Sequence, residues 1–292
     1  MNFYNSIITP IFLQKNINSQ KRTTFFVKTH NLSSINKEIE RFVDIHDINK
    51  FLLFGIPEIK DVKETYKKNN IVSLAVQKLR ENFGKRIEIF SDMTLSPYTK
   101  DGHSVIIRRK RIDHKKTRDV LCRMALSHAE AGVDFVAPLG IRDYVKVIRE
   151  TLDNNGYKNV KIMSYSAKFS SSLYGPYREV IGSPMMFKKK AYQLKIYDVG
   201  NALRNAKRDA SYGADIIIVK PALPYLDIIA KIKQKLNVAI AAYHVSGEYC
   251  MIKAASEKGW IDERNTIEEI FTSIKRAGAD FIITYIDPRL LK

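Results

Sequence analysis

Lys220 closes the apolar run Ile216-Ile217-Ile218-Val219, and Lys168 lies a few residues past the run Lys161-Ile162-Met163-Ser164. An amine at the end of a buried strand loses its water, and a second ammonium nearby disfavours its charge further. Both effects lower its pKa from the ordinary value of about 10.4 and free it to attack a carbonyl carbon. With 49 Lys and Arg residues in the chain, any single lysine reads first as a solvated surface group; two at neighbouring strand ends read as a pair with a use. Asp92, just past the run Ile87–Phe90, could move protons, and Ser164, Ser166, Ser246 and Tyr285 stand past other runs with hydroxyls to offer. Plainer roles stay open for each: Asp92 as an acceptor for backbone amides, Ser246 as a helix cap before Gly247 and Glu248, Tyr285 as a core aromatic.

The elements that must hold these residues follow from hydrophobic period. Short β-branched or aromatic runs occur at Ile8–Leu13, Phe51–Phe54, Ile87–Phe90, Phe135–Ala137, Lys161–Ser164, Ile216–Val219, Val238–Tyr243 and Phe281–Tyr285. Segments with apolar residues at three and four spacing predict helices over Ile35–Ile45, Val72–Phe83, Lys116–Ala131, Asp143–Asn154, Asp198–Tyr212, Pro224–Leu236, Glu248–Lys258 and Thr266–Ala277. Strand then helix, repeated eight times, predicts a parallel α/β sheet, and the length suits one (β/α)8 TIM barrel of about 250 residues. No Pro/Gly/Ser-rich linker divides the chain, so residues 1–292 read as a single domain with a short N-terminal arm at residues 1–6. A doubly wound open sheet is the rival, but it would want a GxGxxG or GxxxxGK[ST] loop, and neither occurs. Three strands are announced by one phrase, Ala131-Gly132-Val133-Asp134, Gly213-Ala214-Asp215 and Ala277-Gly278-Ala279-Asp280, in which glycine ends a helix and the acid starts the turn into the strand. Two long interruptions, Thr94–Lys116 and residues 170–195, follow strands and would lie on the carboxyl face where barrel active sites are built; the second reads as a lid.

The 292 residues are 45% hydrophobic and 10% aromatic, enough for a large core, which excludes a disordered or fibrous chain. The formal net charge of +18 permits contact with anions, yet Lys, Asn and Ile are abundant throughout, as codon usage in an AT-rich genome produces. Basic runs at Arg108–Arg111 and Lys188–Lys190 lack interleaved aromatics, so no nucleic-acid partner is expected. Cys122 and Cys250 cannot build a disulfide framework, no apolar stretch approaches the roughly 18 residues of a membrane span, and the N-terminus does not read as a secretory signal. A cytoplasmic protein without a membrane partner is expected.

Long motifs narrow the field. Met163-Ser164-Tyr165-Ser166-Ala167-Lys168 with Tyr174-Gly175-Pro176-Tyr177-Arg178, Val219-Lys220-Pro221-Ala222-Leu223-Pro224-Tyr225-Leu226-Asp227 and Tyr243-His244-Val245-Ser246-Gly247-Glu248-Tyr249 closely resemble the porphobilinogen synthase (5-aminolevulinate dehydratase) family. Asp92 with Pro97-Tyr98-Thr99 and Gly102-His103, and Ile282-Ile283-Thr284-Tyr285, match further signatures in the same order, so that the resemblance runs from about Ile7 to the C-terminus. It implies a barrel enzyme of haem and other tetrapyrrole synthesis, a lyase joining two molecules of 5-aminolevulinate into porphobilinogen with loss of two waters. Carried over by residue, Lys220 would form the Schiff base at the P side and Lys168 the one at the A side, with Asp92 supporting proton transfer. Ser246 and Tyr285 resemble the pair that binds the P-side carboxylate. Arg178, Lys189 and Gln193 resemble A-side binders on the lid, and Tyr174 and Tyr243, inside the same motifs, count with the substrate-binding residues. A homo-oligomer, from dimer up to octamer, is implied as well.

The sequence departs from that family in places. Where zinc-using members carry three cysteines and magnesium-type members aspartates, this chain has Thr94, Ser96 and Ser104, which are poor zinc ligands. No metal ligand and no cofactor is therefore expected. Tyr212 replaces the acidic residue of a second, allosteric magnesium site, which makes magnesium doubtful. Lys189 stands where arginine is usual, and the family phrase Pro-Ser-Asp-Met-Met-Asp is here Pro138-Leu139-Gly140-Ile141-Arg142-Asp143. The second reading is thus an eroded, weakly active or inactive homologue serving as a subunit or binding protein; retention of both lysines, Ser246, Tyr285, Arg178 and Gln193 speaks against it.

Overall fold

Eight apolar runs become strands because each can be buried on both faces, the situation of a parallel sheet covered by helices. They are β1 (Ile7–Gln14), β2 (Lys50–Ile56), β3 (Glu88–Asp92), β4 (Phe135–Ala137), β5 (Lys161–Lys168), β6 (Ile216–Lys220), β7 (Ala239–His244) and β8 (Phe281–Thr284). The computed structural model describes residues 3–15, 22–24, 27–183 and 192–291. Each strand pairs in parallel with the next, and β8 returns to β1 through Ile282 beside Ile7 and Ile283 beside Ile8. Closure removes the sheet edge and completes the expected (β/α)8 barrel.

The outer layer is α1 (Ile35–His46), α2 (Ile71–Phe83), α3 (His114–Ala131), α4 (Tyr144–Asn154), the short α5 (Gly175–Val180), α6 (Val199–Ser211), α7 (Leu226–Lys235), α8 (Ser246–Glu257) and α9 (Glu263–Arg276). Each long helix lays one apolar stripe on the barrel, as Tyr144, Val145, Ile148 and Leu152 of α4 do. Caps explain where the observed ends differ from the expected ones. Asp113 accepts from the Lys116 amide and Asp262 from the Asn265 amide, so α3 and α9 start two and three residues before their apolar periodicity becomes visible. Leu223–Tyr225 forms a 3-10 turn ahead of α7. Hydrophobic period does not anticipate the strand Val27–His30, which pairs with Arg22–Thr24 and, through Thr29 and His30, with the end of β1. Nor does it anticipate the ribbon of Ile107–Arg108 against Arg111–Ile112 inside the long loop after β3. No helix among the described residues is long and apolar enough to cross a membrane.

The repeated glycine-acid phrase does more than turn the chain. Gly132, Gly213 and Gly278 have φ of +101°, +90° and +107°, a region that strains any other residue. The aspartate two residues later then bonds twice to the preceding strand. The Asp134 amide donates to the Ile89 carbonyl while its Oδ2 accepts from the Ile89 amide at 2.8 Å. Asp215 does the same with Ile162, and Asp280 with Ile240. Three buckles of one design thus fasten the amino-terminal ends of neighbouring strands. Arg80 and Lys85 further hold Asp134 by ion pairs. Asp134→Ala strips the Ile89 amide of its acceptor and should lower the unfolding free energy by about 1–3 kcal/mol. The expected readout is a lower urea midpoint at constant slope; a midpoint equal to the parent's would show the buckle to be dispensable.

Candidate active site

At the opposite, carboxyl end of the barrel, β5 and β6 finish abreast, with Lys168 directly opposite Lys220. Lys220 is buried in a cage of rings: its Nζ lies 3.6 Å from the centre of Tyr243 and 5.3–5.5 Å from Tyr165, Tyr174 and Tyr177. Lys168 Nζ is 5.0 Å from the same Tyr165 ring. Burial first, then the neighbouring Lys168 charge, hold Lys220 well below the ordinary ammonium range, with Asp92 and Glu248 pulling weakly the other way. Lys168 is brought down to about 8 by burial, a fall that Asp92 opposes and the Arg178 charge assists. Both amines therefore have a neutral, nucleophilic form within reach of physiological pH. The cage that refuses a hydrated ammonium can still accept the flat cation of an iminium on its ring faces.

Asp92 ends β3 and is buried beside the pair. Its Oδ1 accepts from the Tyr165 hydroxyl at 2.9 Å, and Oδ2 accepts from the Thr94 amide at 3.0 Å and from the Thr94 hydroxyl. Burial raises its pKa, offset by those bonds and by Lys168. The plain role is realised, since the carboxylate satisfies a backbone donor, and the same carboxylate lies in the field of Lys168.

On the other side, Ser246 is the first residue of α8, and its hydroxyl is buried with no partner among the described residues. The helix-cap role falls to Glu248 instead, whose carboxylate accepts from the Val245 amide at 2.5 Å and the Leu223 amide at 2.6 Å. Burial pushes Glu248 up to about 7. The Tyr285 and Tyr243 hydroxyls lie 2.9 Å apart. Gly247 lets the segment before α5 come close, since a Cβ there would sit 2.4 Å from the Leu173 carbonyl oxygen. An orphan hydroxyl at a helix N-terminus is chemically suited to accept an anion.

The described ends of the segment expected to form a lid are tied to β5 and β6. Tyr174 donates to the Phe169 and Lys220 carbonyls at 2.7 and 3.1 Å. The Leu194 amide donates to the Lys168 carbonyl at 3.0 Å, which brings the neighbouring Gln193 to the end of β5, buried and with Oε1 unpartnered among the described residues. Arg178 on α5 is half-buried and has no ion pair among the described residues, yet its charge is felt by Lys168. Lys189 lies outside the described residues. Of the expected site, the structure brings together Lys168, Lys220, Asp92, Tyr174, Tyr243 and Tyr285; the Arg178 charge reaches Lys168, Gln193 adjoins the residue bonded to the end of β5, and Ser246 opens α8 just past β7. Tyr165, Tyr177 and Glu248 are not assigned to the site by sequence reasoning; the available signal is that tyrosines recur within a few residues of strand ends.

The loop after β3 does not suit zinc. The Thr94 hydroxyl is spent as a donor to Asp92, the Ser96 hydroxyl is 3.4 Å from that of Tyr177, and Ser104 offers a third neutral oxygen, whereas zinc wants thiolate or imidazole. The crevice at Tyr212 is lined by His114, Arg118, Arg142 and Arg208, and its carboxylate, Asp143, already pairs with Arg118 at 2.6 Å. Such a cationic surround does not suit magnesium.

A model of the family described as delta-aminolevulinic acid dehydratase matches residues 3–292. A relative of that name from Archaeoglobus fulgidus is 42% identical over 286 residues, covering 96% of this chain and 88% of the relative. Another from Bacillus subtilis is 39% identical over 284 residues, covering 95% of this chain and 87% of the relative. Among solved structures, delta-aminolevulinic acid dehydratase (porphobilinogen synthase) from Toxoplasma gondii ME49, in complex with the reaction product porphobilinogen, superposes with a TM-score of 0.94 at 36% identity, covering 100% of this chain and 85% of that one. With paired strand-end lysines in a tyrosine cage and agreement along nearly its whole length, the chain belongs to the delta-aminolevulinic acid dehydratase family.

Proposed function

We propose that the chain is a lyase of tetrapyrrole synthesis that condenses two molecules of 5-aminolevulinate into porphobilinogen, forming one C–C and one C–N bond and releasing two waters. The observation that carries this reading is the register of Lys168 beside Lys220, both with depressed pKa. Each amine attacks a substrate ketone and expels water as the iminium forms. An iminium withdraws electrons better than a ketone, so Lys220 activates one substrate for C–C bond formation while Lys168 fixes the other for C–N closure. Both amines are free again when product leaves. Asp92 exchanges protons with the pair, and its bond to Tyr165 keeps it aimed. Ser246 and Tyr285 hold the P-side carboxylate, and Arg178, Gln193 and Lys189 hold the A-side one, converting an encounter of two molecules into a positioned reaction. Because the donors at Thr94, Ser96 and Ser104 do not fit zinc, no step is routed through a metal. Cys122 and Cys250 are free thiols, in keeping with a reducing cytoplasm, and a homo-oligomer is the expected assembly.

Three measurements test this reading. Borohydride with 5-aminolevulinate should inactivate the protein and leave a mass adduct on the Lys220 peptide. Lys220→Ala should abolish adduct and turnover, and Lys168→Ala should keep the Lys220 adduct while losing nearly all product. Adduct on neither lysine would sink the proposal. Since Lys168 must lose a proton to attack, log kcat/KM should climb with pH and level off above about 8; a flat profile between pH 6 and 9 would remove Lys168 from that role. Strong chelators should leave turnover unchanged, and a loss restored by zinc or magnesium would contradict the metal-independent reading.

A further inference from the structure

Side chains alternate along a regular strand, so residues three apart face opposite sides. Tyr165 and Lys168 are three apart on β5, yet both face the lumen, one reaching Asp92 and the other lying against the same tyrosine ring. The register shows how. Met163 and Ser164 stand opposite Ile216 and Ile217, but Ala167 and Lys168 stand opposite Val219 and Lys220, so β5 carries one residue more than β6 between those pairs. This is a β-bulge. Without it, ordinary alternation would turn Lys168 outward toward the helices.

The back of the bulge is held from α6, which packs on β5. Asp209 Oδ2 accepts from Ser164 Oγ at 2.8 Å, and the Ser166 hydroxyl, which donates to the Ser164 carbonyl at 3.4 Å, stands close enough to lower the pKa of that carboxyl. Its Oδ1 is fixed by Arg208 Nε and Nη2 at 3.0 and 2.8 Å, and Arg208 donates in turn to the Gly140 carbonyl at 2.8 Å. Asp209 is fully buried. Gly140 supplies the room: a Cβ there would lie 2.1 Å from Asp209 Oδ2 and 2.6 Å from Ser166 Cα. The glycine in Pro138-Leu139-Gly140 and the carboxylate on α6 are therefore parts of one device.

We infer that Asp209 is a positioning residue that, through Ser164 and Ser166, holds the β5 bulge and so turns Lys168 into the barrel beside Lys220. Its effect on the reaction passes through Lys168, and in that respect it rests on the Schiff-base reading above. The test therefore has an arm without substrate. Labelling of each lysine in the intact protein by acetic anhydride is followed against pH by peptide mass spectrometry, for the parent, for Asp209→Ala and for the double variant Ser164→Ala/Ser166→Ala. In the parent, Lys168 should titrate near 8. In either folded variant it should move toward the ordinary value of about 10.4. In the arm with substrate, turnover should fall about 100-fold, the scale of a misplaced reacting group, while borohydride still traps Lys220. Should Asp209→Ala fail to fold, the serine pair, which leaves Asp209 with Arg208, carries the test. Parent-like titration of Lys168 in the folded serine variant, or loss of the Lys220 adduct along with that of Lys168, would overturn the inference. Failure to trap either lysine in the parent would instead count against the Schiff-base reading and leave the titration arm standing.

Discussion

The organising constraint is the need to keep an amine without its charge. In water a lysine holds its proton until about pH 10.4, and this chemistry needs the free base at a much lower pH. Lowering a lysine's pKa by one disfavours its ammonium by about 1.4 kcal/mol, and the site does so by removing water and by setting a second amine alongside. The cage of Tyr165, Tyr174, Tyr177 and Tyr243 around Lys220 suits this need, because it excludes solvent without offering a carboxylate that would draw the proton back. Asp92 is close enough to matter, but Thr94 and Tyr165 occupy its oxygens.

Much of the barrel could be read from the chain because strands buried on both faces leave unbroken apolar runs, and all eight appear within a few residues of their expected bounds. What escaped was polar or depended on pairing. Val27–His30 has too little apolar character to announce itself, and α3 and α9 start earlier than expected because Asp113 and Asp262 cap ahead of the first periodic residue. In the site, the lysines stood out because charge at the end of an apolar run is anomalous. The caging tyrosines did not, since a tyrosine in an apolar segment reads equally well as core. The bulge in β5 was out of reach altogether: it is a property of the register between two strands, and no single strand records it.

Two groups of residues that depart from the family pattern lie against the site. Thr94 bonds Asp92 and Ser96 approaches Tyr177, so the loop after β3 is stitched to the amine site by hydroxyls. Gly140, which carries no side chain behind β5, leaves its space to Asp209. In both places a small neutral residue sits where a neighbour's carboxylate does the polar work.

The three aspartate buckles lie at the end of the barrel away from all of this. Fastening strands at one rim and performing chemistry at the other divides the molecule into a conservative base and a permissive crown. Substitutions in the crown alter affinity, pH response or ion requirement without loosening the staves, and substitutions in the base endanger folding without touching the amines. The loop after β3 can thus change its polar residues by small steps, each compatible with a closed barrel, because the aspartates that fasten the strands are not the residues gathered around the amines.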